Sequence, residues 1–299
     1  MTRVAQRPVQ AFAAALAAVG TLSIMDAVMK HLVLVIGIFA VSVWRSAANL
    51  GISAAIYLPR RSGWPQRKTL KIHVARGIIV TVMAFLFFWG IGRVPLAQAI
   101  ALTFIAPLIA LLLASAFLKE KIGHRSVVGS LIAFGGVIVI VAGQARASLD
   151  SDALLGTIAI LGSALTYAIN IVLMRHQALA AGPFEINFFQ SLTVMSLWLL
   201  ALFVGGLPAW PSGQWHWIAM AAVLSTAGTL LFAWGYARGE ASYLAVTEYS
   251  AFLWASALGW LVFQERVSLF TRGGAVLIVG GCLVAARRKI TEPPEMDYT

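Results

Sequence analysis

Ten apolar runs occupy nearly the whole chain, and no other feature restricts the fold as much. They lie near residues 9–29, 33–57, 74–92, 97–118, 126–143, 154–174, 184–204, 215–236, 242–263 and 270–286. A helix of about 20 residues crosses the hydrocarbon core of a bilayer. Backbone polar groups in lipid must be satisfied inside the segment, so runs of this length read as helices. Of the 299 residues, 60% are hydrophobic and 11% charged, against about 25% charged in a soluble domain. So few charges exclude an ordinary soluble enzyme. The expected fold is an all-α integral membrane protein with ten transmembrane helices. Arg3 and Arg7 precede the first run as they would a signal peptide, but about 20 apolar residues is long for a signal core, and the run is kept as a helix.

The formal net charge is +11. In a soluble chain that would suggest nucleic acid. Here the basic residues sit between apolar runs and act as topology signals. With a cytoplasmic N-terminus, sixteen Lys and Arg fall inside, including Arg60, Arg61, Arg67, Lys68, Lys71 and Arg76. Five fall outside (Lys30, Arg93, Arg146, Arg266 and Arg272), and Arg45 lies within the second run. That bias places both termini in the cytoplasm. Trp210, Trp215, Trp217, Tyr57 and Trp64 sit at run ends as interface anchors. The segment 289–299 reads as a disordered tail.

The chain also matches itself at an offset of 145. Trp89-Gly90 aligns with Trp234-Gly235, Arg93 with Arg238, and Glu120 with Glu265. Gly129 aligns with Gly274, Gly135-Gly136 with Gly280-Gly281, and Met29-Lys30-His31 with Met174-Arg175-His176. The unit holds five helices. Five is odd, so the second copy enters the membrane from the opposite side. This predicts two inverted-topology repeats, 1–143 and 153–288, joined by a loop at 144–152. Such repeats recur in secondary transporters, with the substrate site near the midplane between the halves.

These features resemble the EamA-type members of the drug/metabolite transporter superfamily and, within it, the YddG-type amino-acid exporters. The resemblance spans the full length. It rests on the ten-run plan, the arginine of Phe39-Ala40-Val41-Ser42-Val43-Trp44-Arg45, the Pro107-Leu108-Ile109-Ala110-Leu111-Leu112 stretch ending at Glu120, the matching end at Glu265, and the glycine-rich fifth and tenth runs. It implies a basket-like carrier of the bacterial inner membrane that exports amino acids or other small metabolites. The halves differ at two places: Phe252 stands opposite Pro107, and Gln190 opposite Arg45.

Ionisable groups inside a span are costly and need a reason. Asp26 and Lys30 are four residues apart, share a helix face and are expected to pair near the surface. Arg45 stays charged. It reads either as a tie between helices or as an anchor for a substrate carboxylate, with Asn49 one turn along. Glu248, Phe252 and Ala255 share a face of the ninth run, and the offset maps them onto Thr103, Pro107 and Ala110. Both faces are expected to line a central cavity. There Glu248 would bind a substrate ammonium or carry a proton; the plainer alternative is a neutral helix-to-helix hydrogen bond. Pro107 frees the carbonyl of Thr103 and bends its helix. Ser163, Tyr167, Asn170 and Met174 form a polar stripe that is cavity wall or interhelical glue. Met25, Trp89, Gln98, Trp234, Tyr243 and Tyr249 complete the candidate lining. Gly129, Gly135, Gly136, Gly143, Gly273, Gly274, Gly280 and Gly281 mark a packing scaffold.

No phosphate-binding loop, zinc-protease motif or serine-hydrolase elbow occurs. The histidines at 31, 73, 124, 176 and 216 fall near run ends, and Cys282 is alone. No cofactor and no metal centre is therefore expected. The expected partners are a small-molecule substrate and the lipid bilayer, with monomer and homodimer both open. The leading expectation is a secondary carrier that exports amino acids by alternating access. Carriage of another metabolite class, an intramembrane enzyme and a non-transporting partner subunit are the alternatives.

Overall fold

The computed structural model describes residues 8–61, 63–106, 108–109, 113, 124–147, 151–178, 180–236, 238 and 247–286. Their regular secondary structure is entirely helical. In chain order the helices are α1 (Pro8–Ile36), α2 (Ile38–Tyr57), α3 (Arg67–Ile91), α4 (Leu96–Thr103), α5 (His124–Ala147), α6 (Ser151–Ala178), α7 (Pro183–Gly205), α8 (Trp215–Tyr236), α9 (Ala251–Phe263) and α10 (Leu269–Ala286). Among the described residues, α1, α3, α6, α7 and α8 contain stretches long and apolar enough to cross a membrane. Leu131, Phe203, Val204 and Val276 are exposed on the outside of the bundle. An apolar exterior is what a bilayer accepts and water does not.

Several boundaries differ from the hydropathy pattern. α1 runs on to Ile36, and only Gly37 separates it from α2. Gly37 has φ of 80°, a conformation open to glycine at little cost. α3 begins at Arg67 rather than near 74. Lys and Arg are good helix formers, so the helix extends outward from its apolar run towards Pro65. Arg67, Lys68 and Lys71 thereby lie on a helix and not in a loop. α5 continues to Ala147 and α6 starts at Ser151, which leaves 148–150 outside the described residues. The segment 289–299 also lies outside them.

Packing recurs at the 145-residue offset. α3 packs on α6, and α1 packs on α8. At Gly90 a β-carbon would fall 2.9 Å from the Gly156 carbonyl, beside Ile160; at Gly235 it would fall 3.2 Å from the Ala11 carbonyl, beside Ala15. These are the same contact with the halves exchanged. α5 packs on α10 in the same way: Gly136 faces the carbonyl of Gly274, and Gly281 faces that of Gly129. The residue number rises along one helix as it falls along the other, so the two helices cross antiparallel. Without a hydrophobic drive between helices in lipid, small residues let backbones approach and gain dispersion contact.

One ionic junction ties α1, α4 and the α9–α10 connection. The Lys30 ammonium donates to the Val94 carbonyl at 2.7 Å and to the Glu265 carboxylate. The other Glu265 oxygen accepts the Leu96 amide at 2.8 Å. Leu96 is the first residue of α4, so the carboxylate also faces the positive end of that helix. The expected Asp26–Lys30 pair is therefore replaced by Lys30–Glu265. Sharing a face along α1 did not decide the partner; the arrival of α4 and Glu265 beside Lys30 did.

Candidate functional site

Two polar clusters sit inside the bundle. The first joins α1 and α2. Arg45 is the seventh turn-forming position after Ile38, and Asn49 follows one turn later on the same face. Asp26 of α1 lies within electrostatic reach of Arg45. The Arg45 guanidinium stands 5.0 Å over the ring of Phe88 in α3. Arg45 Nε and Asn49 Oδ1 are buried with no hydrogen-bond partner among the described residues. Asp26, Arg45 and Asn49 are half-buried as residues, while the Arg45 Nε and the Asn49 Oδ1 are themselves closed off from solvent.

The second cluster joins α3, α6, α7 and the segment before α9. Arg76 Nε donates to Asn170 Oδ1 at 2.8 Å, and its terminal nitrogen donates to Gln177 Oε1. With Gln177 Oε1 committed as an acceptor, its amide nitrogen donates to His73 Nδ1 at 2.6 Å. That assigns the ring proton to Nε2, which donates to Glu185 at 3.1 Å. The His73 ring stacks on Phe189 at 4.9 Å. Tyr167 lies within electrostatic reach of both Glu248 and Arg76. Two neutral amide oxygens thus accept from the Arg76 guanidinium, a network that gains strength at low dielectric.

The other candidates are placed as follows. Gln98 is buried and donates to Thr157 Oγ1 at 3.4 Å. Ser163 Oγ donates to the Met83 carbonyl at 2.9 Å, tying α6 to α3. Thr103 Oγ1 donates back to the Ile100 carbonyl. Met25 is buried in the main core, against which Phe252 also packs. Tyr249 meets Phe104 edge-on at 5.5 Å, and these two residues are themselves 145 apart. Arg93 lies 3.5 Å over Trp89, and Arg238 lies 4.3 Å over Trp234. Phe252 also lines a cleft of about 580 Å³ with Ser256, Trp260, Arg266 and Arg272. Pro107 and Tyr243 lie outside the described residues, as does Glu120; the side chain of Met174 is likewise not described.

The structure thus brings Arg45 and Asn49 together, and it brings Tyr167 to Glu248. It ties Asn170 to Arg76 and Ser163 to a backbone carbonyl. Asp26, Arg76, His73 and Gln177 enter the clusters although the sequence did not single them out as lining. Their signal was present: His73 and Arg76 are three apart and Gln177 is seven from Asn170, spacings that place each pair on one helix face.

A helical membrane chain with charged side chains held inside its bundle belongs to a class that handles polar solutes in lipid. The chain belongs to the EamA-like transporter family, whose model matches it twice, over residues 10–142 and 154–287. It is 26% identical to the pseudopaline exporter CntI of Pseudomonas aeruginosa, over 90% of this chain and 93% of that one. It is 26% identical to a riboflavin transporter of Vibrio cholerae, over 64% of this chain and 63% of that one. It is 28% identical to a probable terminal-alkyne amino-acid exporter of Streptantibioticus cattleyicolor, over 53% and 52%.

Proposed function

We propose that this membrane transporter is a secondary exporter of amino acids and related small metabolites. It sits in the bacterial inner membrane with both termini cytoplasmic. Its two five-helix repeats have inverted topology and rock against each other around a central cavity, the alternating-access scheme of such folds. The observation that carries this reading is the pairing of contacts at the 145-residue offset, with equivalent helices α5 and α10 crossing antiparallel. Equivalent helices that run in opposite directions are what inversion requires. The double match of the family model supports the same division. Amino-acid cargo is supported by the terminal-alkyne amino-acid exporter, and outward direction by the two exporters among the relatives.

The test is counterflow exchange in proteoliposomes that contain this protein alone. A panel of labelled amino acids is offered at rising concentration. Saturable exchange is expected, and flux linear in substrate to high concentration would replace the carrier with a channel. Similarity to a riboflavin transporter favours a second cargo, a planar aromatic metabolite. Riboflavin in the same panel separates the two.

A further inference from the structure

We infer that Asp26, Arg45 and Asn49 form the seat for the head group of an α-amino acid, with Arg45 taking the carboxylate and Asp26 the ammonium. The inference rests on the carrier reading above and gives it a place and a chemistry.

Arg45 and Asp26 feel each other electrostatically. Yet the close contacts between a basic side chain and a carboxylate among the described residues are Lys30–Glu265 and the neutral hydrogen bond His73–Glu185, so no nitrogen of Arg45 lies within 4.0 Å of the Asp26 carboxylate. Two opposite charges in a low-dielectric interior gain most by closing on each other. Here they stand apart. The Nε of Arg45 and the Oδ1 of Asn49 are buried and unpartnered, and Asp26 makes no hydrogen bond to any described residue. A buried polar atom without a partner is unfavourable in itself and favours any solute that supplies one. The second cluster shows the contrast, because Arg76 there meets Asn170 and Gln177 directly. Arg76 is a completed tie; Arg45 is an open one.

The cluster has a defined chemistry. It offers a forked donor, a carboxylate acceptor and an amide acceptor. An α-amino acid presents a planar carboxylate and an ammonium one carbon apart. The carboxylate matches the guanidinium fork. The ammonium has three donors, which Asp26 and the Asn49 oxygen can share. Phe88 stands 5.0 Å from the guanidinium, where the face of its ring attracts the cation. A neutral planar solute would leave both charges unmatched, and a simple anion would leave Asp26 repelling it.

The experiment uses the full chain in proteoliposomes, with labelled leucine, phenylalanine and histidine as probes. Competition is measured with analogues of the same side chains that lack the carboxylate or lack the ammonium. The wild type is expected to bind either analogue at least about tenfold more weakly, the factor of one charge-assisted hydrogen bond. Asp26→Asn is expected to remove the penalty on the analogue without an ammonium, and Arg45→Gln the penalty on the analogue without a carboxylate. Each variant is checked for a monodisperse profile in detergent, and the wild-type comparison stands whether or not a variant folds. Equal competition by the analogues, or variants that keep the wild-type penalties, would overturn the seat while leaving the carrier intact. Exchange of riboflavin but of no amino acid would overturn the seat and the amino-acid cargo. No exchange of any probe by folded protein would remove the carrier reading itself.

Discussion

Glu265→Ala should destabilise this protein more than Lys30→Met, although the two side chains form one ion pair. Lys30 is 4% exposed. Its ammonium has two acceptors among the described residues, the Val94 carbonyl and Glu265. Without Glu265 a buried cation keeps one carbonyl, a loss of about 3–5 kcal/mol for breaking a buried pair from one side. The Leu96 amide at the start of α4 also loses its acceptor, which adds about 1 kcal/mol as for a lost cap. Without Lys30 the carboxylate still holds the Leu96 amide and the positive end of α4, and Glu265 is partly exposed with an 18% accessible side chain. That change should cost about 2 kcal/mol, the strength of a charged hydrogen bond. The assay is reversible unfolding in mixed micelles, followed by the fluorescence of the ten tryptophans. The double variant should recover at least about 1 kcal/mol relative to the sum of the singles, the coupling expected of groups in contact. Strict additivity, or Lys30→Met costing as much as Glu265→Ala, would refute the assignment of Glu265 to two partners.

Further outcomes follow from the same contacts. Gly136→Ala places a methyl 2.6 Å from the Gly274 carbonyl, whereas Gly135→Ala meets nothing within 4 Å; the first should lower stability by about 1–3 kcal/mol and the second should not, measured by the same unfolding. Gly90→Ala should cost more than Gly235→Ala in that assay, since the β-carbon stands 2.9 Å from a carbonyl oxygen in one case and 3.2 Å in the other. Arg76→Lys should restore only part of what Arg76→Met loses, because one ammonium cannot reproduce the fixed fork that serves both Asn170 and Gln177. A cysteine at exposed Ser212, in a Cys282→Ser background, should react with an impermeant reagent added outside whole cells; protection until the membrane is opened would reverse the proposed orientation.

Much of the architecture was legible because it is written locally. Run length, charge density and the 145-residue offset are properties of neighbouring residues or of simple counting, and the described helices overlap the runs those signals mark, with much of the fourth run and the start of the ninth outside the described residues. The ends were less legible. α3 reaches back to Arg67 because helix propensity, not hydropathy, decides where a helix starts, and a hydropathy window cannot see a largely polar first two turns, 67–73, that continue an apolar helix. The glycine positions of the fifth and tenth runs announced close packing, and α5 and α10 do meet at Gly136 and Gly274.

The polar interior was half legible. A charge within a span is visible by inspection, so Arg45 and Glu248 stood out. Their partners did not. Asp26 is four residues from Lys30, and a local rule joins them, yet Lys30 takes Glu265 from 235 positions away. Arg76 counted only as a topology charge at the start of the third run until α3 and α6 met and gave it Asn170 and Gln177. The sequence by itself determined the helical class, the membrane setting and the internal repeat, since these depend on composition and period. Only the tertiary structure decided which charges are satisfied and which are left open, because a partner in space is set by how helices distant in the chain cross, and no local pattern encodes that.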